Sequence, residues 1–271
     1  MKRTVSVLAG ALALSAAVSV VAQSATADAR ATRPVVRIHV SSTKHVIAPD
    51  SLRPGLVHVK NTGSKQIYLV RRIKAKWGVS TFVTDYNAPT PTGLARHFST
   101  LDNLLGHRDV FVPLTRGTYF FVDGAPRKIN AGNVKTVVVK GTTWNAPRPA
   151  STAAPISGTT ATLGVPTTLP RHRYLHFKNS TDYTVVVVLF RIGSGTSNTA
   201  LANFVARPTL RKLGNLDITA SEEFWYSSPH RSLYHGYTIP AGRYLMVDYA
   251  YTDTAKTPRF GKGQAVAIKV A

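Results

Sequence analysis

The chain carries one strand pattern twice, and that repetition constrains its fold more than any other feature. The stretch "LVHVKNTG" at 56–63 returns as "YLHFKNST" at 174–181, "IYLVRRI" at 67–73 as "VVLFRI" at 187–192, and "RGTYFFVDG" at 116–124 as "AGRYLMVDY" at 241–249. The offset is 118 residues between Asn61 and Asn179 and 125 between Asp123 and Asp248. An offset that drifts in this way means one fold written twice with loops of different length.

Within each copy the apolar runs are short, rich in Val, Ile, Tyr and Phe, and bounded by Gly, Pro, Asn and Asp, as in "VVRIHV", "DVFVPLT", "NVKTVVVKG" and "GQAVAIKV". These are strand signals at the spacing of a sandwich. Alternation puts Leu56, His58 and Lys60 on one face and Val57 and Val59 on the other, with Tyr174, His176 and Lys178 opposed to Leu175 and Phe177 in the second copy. The His-x-Lys pair therefore faces water in both. One segment per copy has helical spacing instead: Leu94, Phe98, Leu101 and Leu105 in the first, and Leu201, Phe204 and Val205 in the second, ended near Pro208.

The stretch "GTTWNAPRPASTAAPISGTT" at 141–160 is rich in Pro, Ala, Ser and Thr and reads as a linker. The N-terminus runs from Lys2 and Arg3 through an uncharged Ala/Val/Leu stretch to small residues around Ala25–Ala29, the order of a cleavable secretory leader. A rival expectation, an uncleaved anchor, suits that weakly hydrophobic run poorly. The chain thus divides into a leader at 1–29, a first sandwich at 33–141, a linker at 142–157 and a second sandwich at 158–271. The expected location is extracellular or associated with the cell wall, with no integral membrane segment after cleavage.

These residues resemble the secreted cupredoxin-like proteins of actinobacteria, which carry two tandem cupredoxin-like domains. The resemblance rests on Pro49 with "LRPGLVHVKN", the strand-ending Asn, the Gly-x-Tyr strand and the closing "FGKGQAVAIKV". It implies an all-β fold of two tandem Greek-key β-sandwiches, each with a short helix insertion. Copper-carrying members hold the metal with His, Cys, His and Met. The resemblance places Gln66 and Asp123 at the first two of those positions in copy one, and Thr184, Asp248, Arg259 and Gln264 at all four in copy two. A blue-copper site needs a thiolate, and the chain has no Cys. No type 1 copper site and no cofactor are expected.

Under that alignment Asp123 and Asp248 stand where metal-binding relatives keep Cys, on the inward face shared with Tyr119 and Tyr244. A buried carboxylate has to be paired or hydrogen-bonded. The repeat aligns Arg72 with Arg191 on a preceding strand, so Asp123 is expected to pair with Arg72 and Asp248 with Arg191. The competing expectation is that both acids cap the turn that follows.

Nine His residues raise a metal reading, with His176, His230 and His235 as its candidates. The spacing does not support it: His172 and His176 are four apart, but on a strand that is about 13 Å. Catalytic frames are missing too. "GSGTSNT" lacks the strand-to-helix setting of a nucleophile elbow, no phosphate-cradling loop occurs, and the adjacent Glu222 and Glu223 diverge. "SEEF" reads as a solvated turn or a charge partner for Arg231.

The formal charge is +22, which favours acidic partners, namely cell-wall polymers, anionic surfaces or nucleic acid, with no specific nucleic acid expected. The densest cluster, Arg71, Arg72, Lys74 and Lys76 with Trp77, is the candidate basic patch. The expected function is a secreted non-catalytic binding or scaffold protein of the envelope or extracellular space, with polyanions as the candidate ligands of its basic surface. The alternative is a non-blue copper or zinc protein, and a weaker one is a hydrolase or lyase with a hidden site, marked by a pocket containing Glu223 or by an inward Asp without an Arg partner.

Overall fold

The structure, a computed structural model, describes residues 35–88, 97–104, 106–124, 126, 128–158, 161–249, 251–252, 255–258 and 263–271. The leader at 1–29, Leu94, Leu105 and Arg259 lie outside these residues.

Nearly every element is a strand. The first copy runs β1 (Val36–Val40), β2 (Val46–Ile47), β3 (Ser51–Leu52), β4 (Gly55–Asn61), β5 (Ile67–Arg72), helix α1 (Val79–Asn87), β6 (Phe98–Leu104), β7 (Asp109–Leu114), β8 (Gly117–Asp123) and β9 (Val134–Val139). The second runs β10 (Ser151–Ser157), β11 (Thr162–Leu163), β12 (Thr168–Leu169), β13 (His172–Asn179), β14 (Val185–Ile192), helices α2 (Asn198–Ala206) and α3 (Leu210–Gly214), β15 (Ile218–Ser227), β16 (Ser232–Thr238), β17 (Gly242–Asp248), a hairpin of β18 (Tyr251–Thr252) and β19 (Ala255–Pro258), and β20 (Ala265–Val270).

The strand order repeats. One sheet of each sandwich reads β2-β1-β4-β7 and β11-β10-β13-β16, the other β3-β9-β8-β5-β6 and β12-β20-β17-β14-β15. In each copy the first strand lies parallel to the fourth, which requires the crossing connections of a Greek key. The two sandwiches also share a sheet. Edge strands β7 and β16 pair antiparallel, Phe111 with Tyr234 and Val110 with His235, and merge two four-stranded sheets into one of eight. Each edge thus finds backbone partners and leaves no open template for aggregation.

Residues 151–157 correct the linker reading. They form β10, parallel to β13 from Ser151–Tyr174 to Ile156–Asn179, and they bury Ala154 and Ile156 in the second core. Pro155 sits in this strand with its side chain out. The composition resembles a linker because the outward positions are small or polar.

The helix expectations divide. Leu201 and Phe204 lie on α2, packed on Leu245 and Val247, and the Ser197 hydroxyl caps its start. In the first copy Phe98 and Leu101 belong to strand β6, and the helix is α1, where Val79, Phe82, Val83 and Tyr86 make an i, i+3, i+4, i+7 stripe over Phe98 and Phe120. A β-bulge explains the misreading. Between the pairs Leu69–Asp102 and Val70–Thr100 the partner strand holds an extra residue, so buried Phe98, Leu101 and Leu104 recur every three residues instead of every two. With a helix over its outer face, the second sheet of each sandwich is buried on both sides, which is why "YFFVD" and "YLMVD" read as unbroken apolar runs.

Candidate functional site: the basic loop and the seam between sandwiches

The repeated Gly-x-Tyr-x-x-x-Asp frame builds the same corner twice. Gly117 and Gly242 adopt φ of 150° and 157°. Two residues later the Tyr119 hydroxyl donates to the Thr115 carbonyl at 2.9 Å and that of Tyr244 to the Pro240 carbonyl at 2.8 Å. A phenol bonded to backbone four residues upstream pins the strand entry, as the tyrosine corner does in other sandwiches.

Asp123 and Asp248 end those strands fully buried and face inward with the tyrosines. The expected arginine pairs do not form. Asp123 stands opposite Ile67 and Asp248 opposite Val187, whereas Arg71 stands opposite Tyr119 and Arg191 opposite Tyr244. That separates Arg191 from Asp248 by about 13 Å along the sheet, and Arg72, which donates to Thr118 Oγ1 at 2.8 Å, from Asp123 by about 16 Å. The register also makes Arg71, not Arg72, the counterpart of Arg191. Asp248 Oδ1 instead accepts from the Val186 backbone N–H at 3.1 Å, across to the neighbouring strand.

The strand-ending asparagines have a matching structural role. The Asn61 amide donates to the carbonyls of Lys65 and Leu104, and that of Asn179 to Tyr183, Ser227 and Ser228, so each ties a loop to the edge of the second sheet.

The basic cluster lies between β5 and α1. A turn closed by the Trp77 N–H on the Lys74 carbonyl at 3.1 Å places the Lys74 and Lys76 ammoniums 5.4 and 5.6 Å from the Trp77 ring centre. These are cation–π distances. The indole rests on the His97 ring at 4.1 Å, and His97 Nδ1 lies 2.6 Å from Asp85 Oδ2. Lys74 and Lys76 are exposed, while Arg71 and Arg72 are half-buried and lie along β5. Of the five residues expected to form a patch, Lys74, Lys76 and Trp77 share one platform.

Four acids are turned inward. Asp102, Asp123, Glu223 and Asp248 are at most 1% exposed.

Two of them sit at the seam, where sequence reasoning missed them. Glu223, expected in a solvated turn near Arg231, is buried on β15, and its Oε1 lies 2.6 Å from Arg108 Nη2 of the first sandwich. Arg108 and Arg231 occupy matching places, each lending its carbonyl to a strand-ending Asn, so Glu223 pairs with the repeat counterpart of the arginine expected. That contact lacks the angle of a hydrogen bond. Burial outweighs the pull of Arg108 and pushes the Glu223 carboxyl up to about 7. Asp102 occupies the equivalent place on β6, opposite Leu69 as Glu223 is opposite Leu189. Its Oδ1 lies 3.4 Å from His235 Nε2, and burial pushes His235 down to about 4. On the outer face of the shared sheet Asp109 bridges the copies, with His58 Nε2 at 2.7 Å and the Tyr174 hydroxyl donating at 2.5 Å. Burial alone would raise Asp109, but these two bonds hold it below the usual carboxylate range. His58 and Lys60 do face outward, as alternation predicts.

The three candidate metal ligands do not converge. His176 stacks on Tyr234 at 4.1 Å with its Nε2 2.6 Å from Ser232 Oγ, His235 projects from the opposite face of that sheet, and exposed His230 lies 2.8 Å from Asp182. Among the described residues no group of three or more His, Asp or Glu is placed to hold a metal. The positions matched to copper ligands offer amide, hydroxyl and carboxylate oxygens and, at Arg259, a guanidinium, with no thiolate, a set that does not fit type 1 copper.

No family model matches the chain, and no curated protein matches it. Among solved structures it is similar to auracyanin B, at 17% identity over 46% of this chain and 92% of that one, with a TM-score of 0.28. It is also similar to a multicopper oxidase, at 11% identity over 88% of each chain with a TM-score of 0.24. A copper-containing nitrite reductase from Thermus scotoductus shows 12% identity over 88% of this chain and 61% of that one, again at 0.24. These neighbours are cupredoxin-like β-sandwich proteins. Likeness of this degree carries nothing about activity; the all-β Greek-key class rests on this chain's own strand order. Among the described residues no helix is long and apolar enough to cross a membrane.

Proposed function

We propose that this is a secreted, non-catalytic binding protein that engages anionic polymers of the cell envelope through the loop at 71–78, after removal of the leader at 1–29. The observation that carries the reading is the Trp77 platform: two exposed ammoniums held over one indole on a chain of formal charge +22, with four of its acids buried. Lysine heads fixed in this way present charge with less side-chain entropy left to lose on binding. Fixed cations displace counterions when a polyanion binds, so affinity has to fall steeply with salt.

The test is titration of the mature chain with inorganic polyphosphate from low to physiological salt. Wild type should show a steep negative dependence of log K on log salt, and Lys74→Glu with Lys76→Glu should flatten it by roughly 0.7–0.9 for each phosphate no longer neutralised. Salt-insensitive binding, or an unchanged slope in the double variant, refutes the assignment.

A further inference from the structure

A second feature lies beside the basic loop and across the seam. Between α1 and β15 the two sandwiches enclose a cavity of about 530 Å³, within the range of roughly 300–1,000 Å³ usual for small-molecule sites. Its walls come from both copies. Tyr68, Phe82, Tyr86 and Phe98 belong to the first sandwich, and Tyr226 and Thr184 to the second. The Ser228 hydroxyl donates across the seam to the Thr100 carbonyl, and both residues line the cavity.

The chemistry of that wall selects a ligand class. Among the described residues no Asp, Glu, Lys, Arg or His lines the cavity, so a charge placed there would lose its solvation without an ionic partner. Aromatic rings offer faces, and Tyr68, Tyr86, Tyr226, Thr100 and Thr184 bring hydroxyl groups to its lining. A hydroxyl carries one donor and two acceptor positions, so each can serve a ligand beside the bond it already makes. A hydrocarbon would use the rings alone and leave the spare donor and acceptor positions of the hydroxyls unused. A neutral ring with apolar C–H faces and hydroxyls around its edge uses both.

The cavity also opens onto the basic loop. Ile73 lines it and immediately precedes Lys74, and Trp77 packs in the same cluster as Tyr68, Phe82 and Tyr86. A polymer with a sugar ring in the cavity would lay its next charged group over Lys74 and Lys76.

We propose that the cavity between the sandwiches is a subsite for one neutral pyranose unit of an anionic glycan, so that the protein recognises a charged polysaccharide and not charge alone. This deepens the polyanion reading and rests on it for the charged part of the ligand.

The experiment compares two probes on the full mature chain by calorimetry at one salt concentration: a uronic-acid-containing oligosaccharide, and inorganic polyphosphate of matched charge. Thr184→Trp fills the cavity from an exposed rim position, and Tyr226→Phe removes one hydroxyl with no change of shape. Wild type should bind the oligosaccharide at least about tenfold more tightly than polyphosphate. Thr184→Trp should abolish that preference and leave polyphosphate affinity unchanged, and Tyr226→Phe should reduce it several-fold and likewise leave polyphosphate affinity unchanged. If wild type shows no preference, or Thr184→Trp keeps it, the sugar subsite is overturned and polyanion binding stands. If neither probe binds, both readings fall.

Discussion

Replacing Glu223 by Gln should change how the stability of this protein depends on pH. The Glu223 side chain has no exposure, and its approach to Arg108 at 2.6 Å is close but poorly directed. Burial raises its carboxyl from 4.5 to about 7. The folded chain therefore keeps a proton on Glu223 up to about pH 7 that the unfolded chain releases near 4.5. Between these values the folded state binds more protons, so the contribution is fully present below pH 4.5 and is lost as pH rises through 7. At 1.36 kcal/mol for each factor of ten in proton affinity, the loss is about 3 kcal/mol. For a unit of this size 1 kcal/mol corresponds to about 2–4 °C, so the expected effect is roughly 6–12 °C. Gln has no proton to lose. Melting curves of wild type and Glu223→Gln at about pH 4.5 and about pH 8.5 should show wild type falling by that amount relative to the variant. Both chains share every other titrating group, His235 included, so the difference isolates Glu223. A melting-temperature difference constant to about 2 °C across this range would refute the claim that a desolvated carboxylate joins the two sandwiches.

His235 acts with the opposite sign: its folded value is pushed down to about 4 from 6.5, so its stabilising contribution is present above pH 6.5 and lost as pH falls through 4, by about 3 kcal/mol. His235→Phe should therefore shift the acid-unfolding midpoint to lower pH, and an unchanged midpoint would contradict a buried neutral imidazole. Tyr244→Phe removes one hydroxyl–carbonyl bond and should cost about 1 kcal/mol in urea unfolding, whereas Tyr119→Phe also removes the acceptor of the Thr115 N–H and should cost more; an equal or smaller cost for Tyr119→Phe would contradict that second bond. Gly55, at φ 121°, lies against the Trp144 backbone, where an added Cβ would collide with the carbonyl oxygen. Gly55→Ala should destabilise by at least about 1–3 kcal/mol in the same assay.

Much of the fold was legible in the sequence because it depends on local patterning. Period-two runs bounded by Gly, Pro and Asn identify strands whichever neighbours they find, and the doubled Asn61/Asn179 and Gly-x-Tyr frames fix the repeat because each performs a local task, tying a loop or pinning a corner. Tertiary structure decided everything that depends on register. One residue of bulge turned Phe98–Leu104 from an apparent helix into a strand, and one residue of offset made Arg71 the counterpart of Arg191 and left each arginine at the far end of its strand from the acid it was assigned. The seam was invisible for a related reason: Arg108 and Glu223 are more than a hundred residues apart, and nothing in either segment tells edge strands β7 and β16 to pair with each other. Burial then set the chemistry. "SEEF" looks solvated as a string, but Glu223 has an altered proton affinity only because two sandwiches close over it, and the rings around the cavity come together only where β6 of the first copy meets β15 of the second.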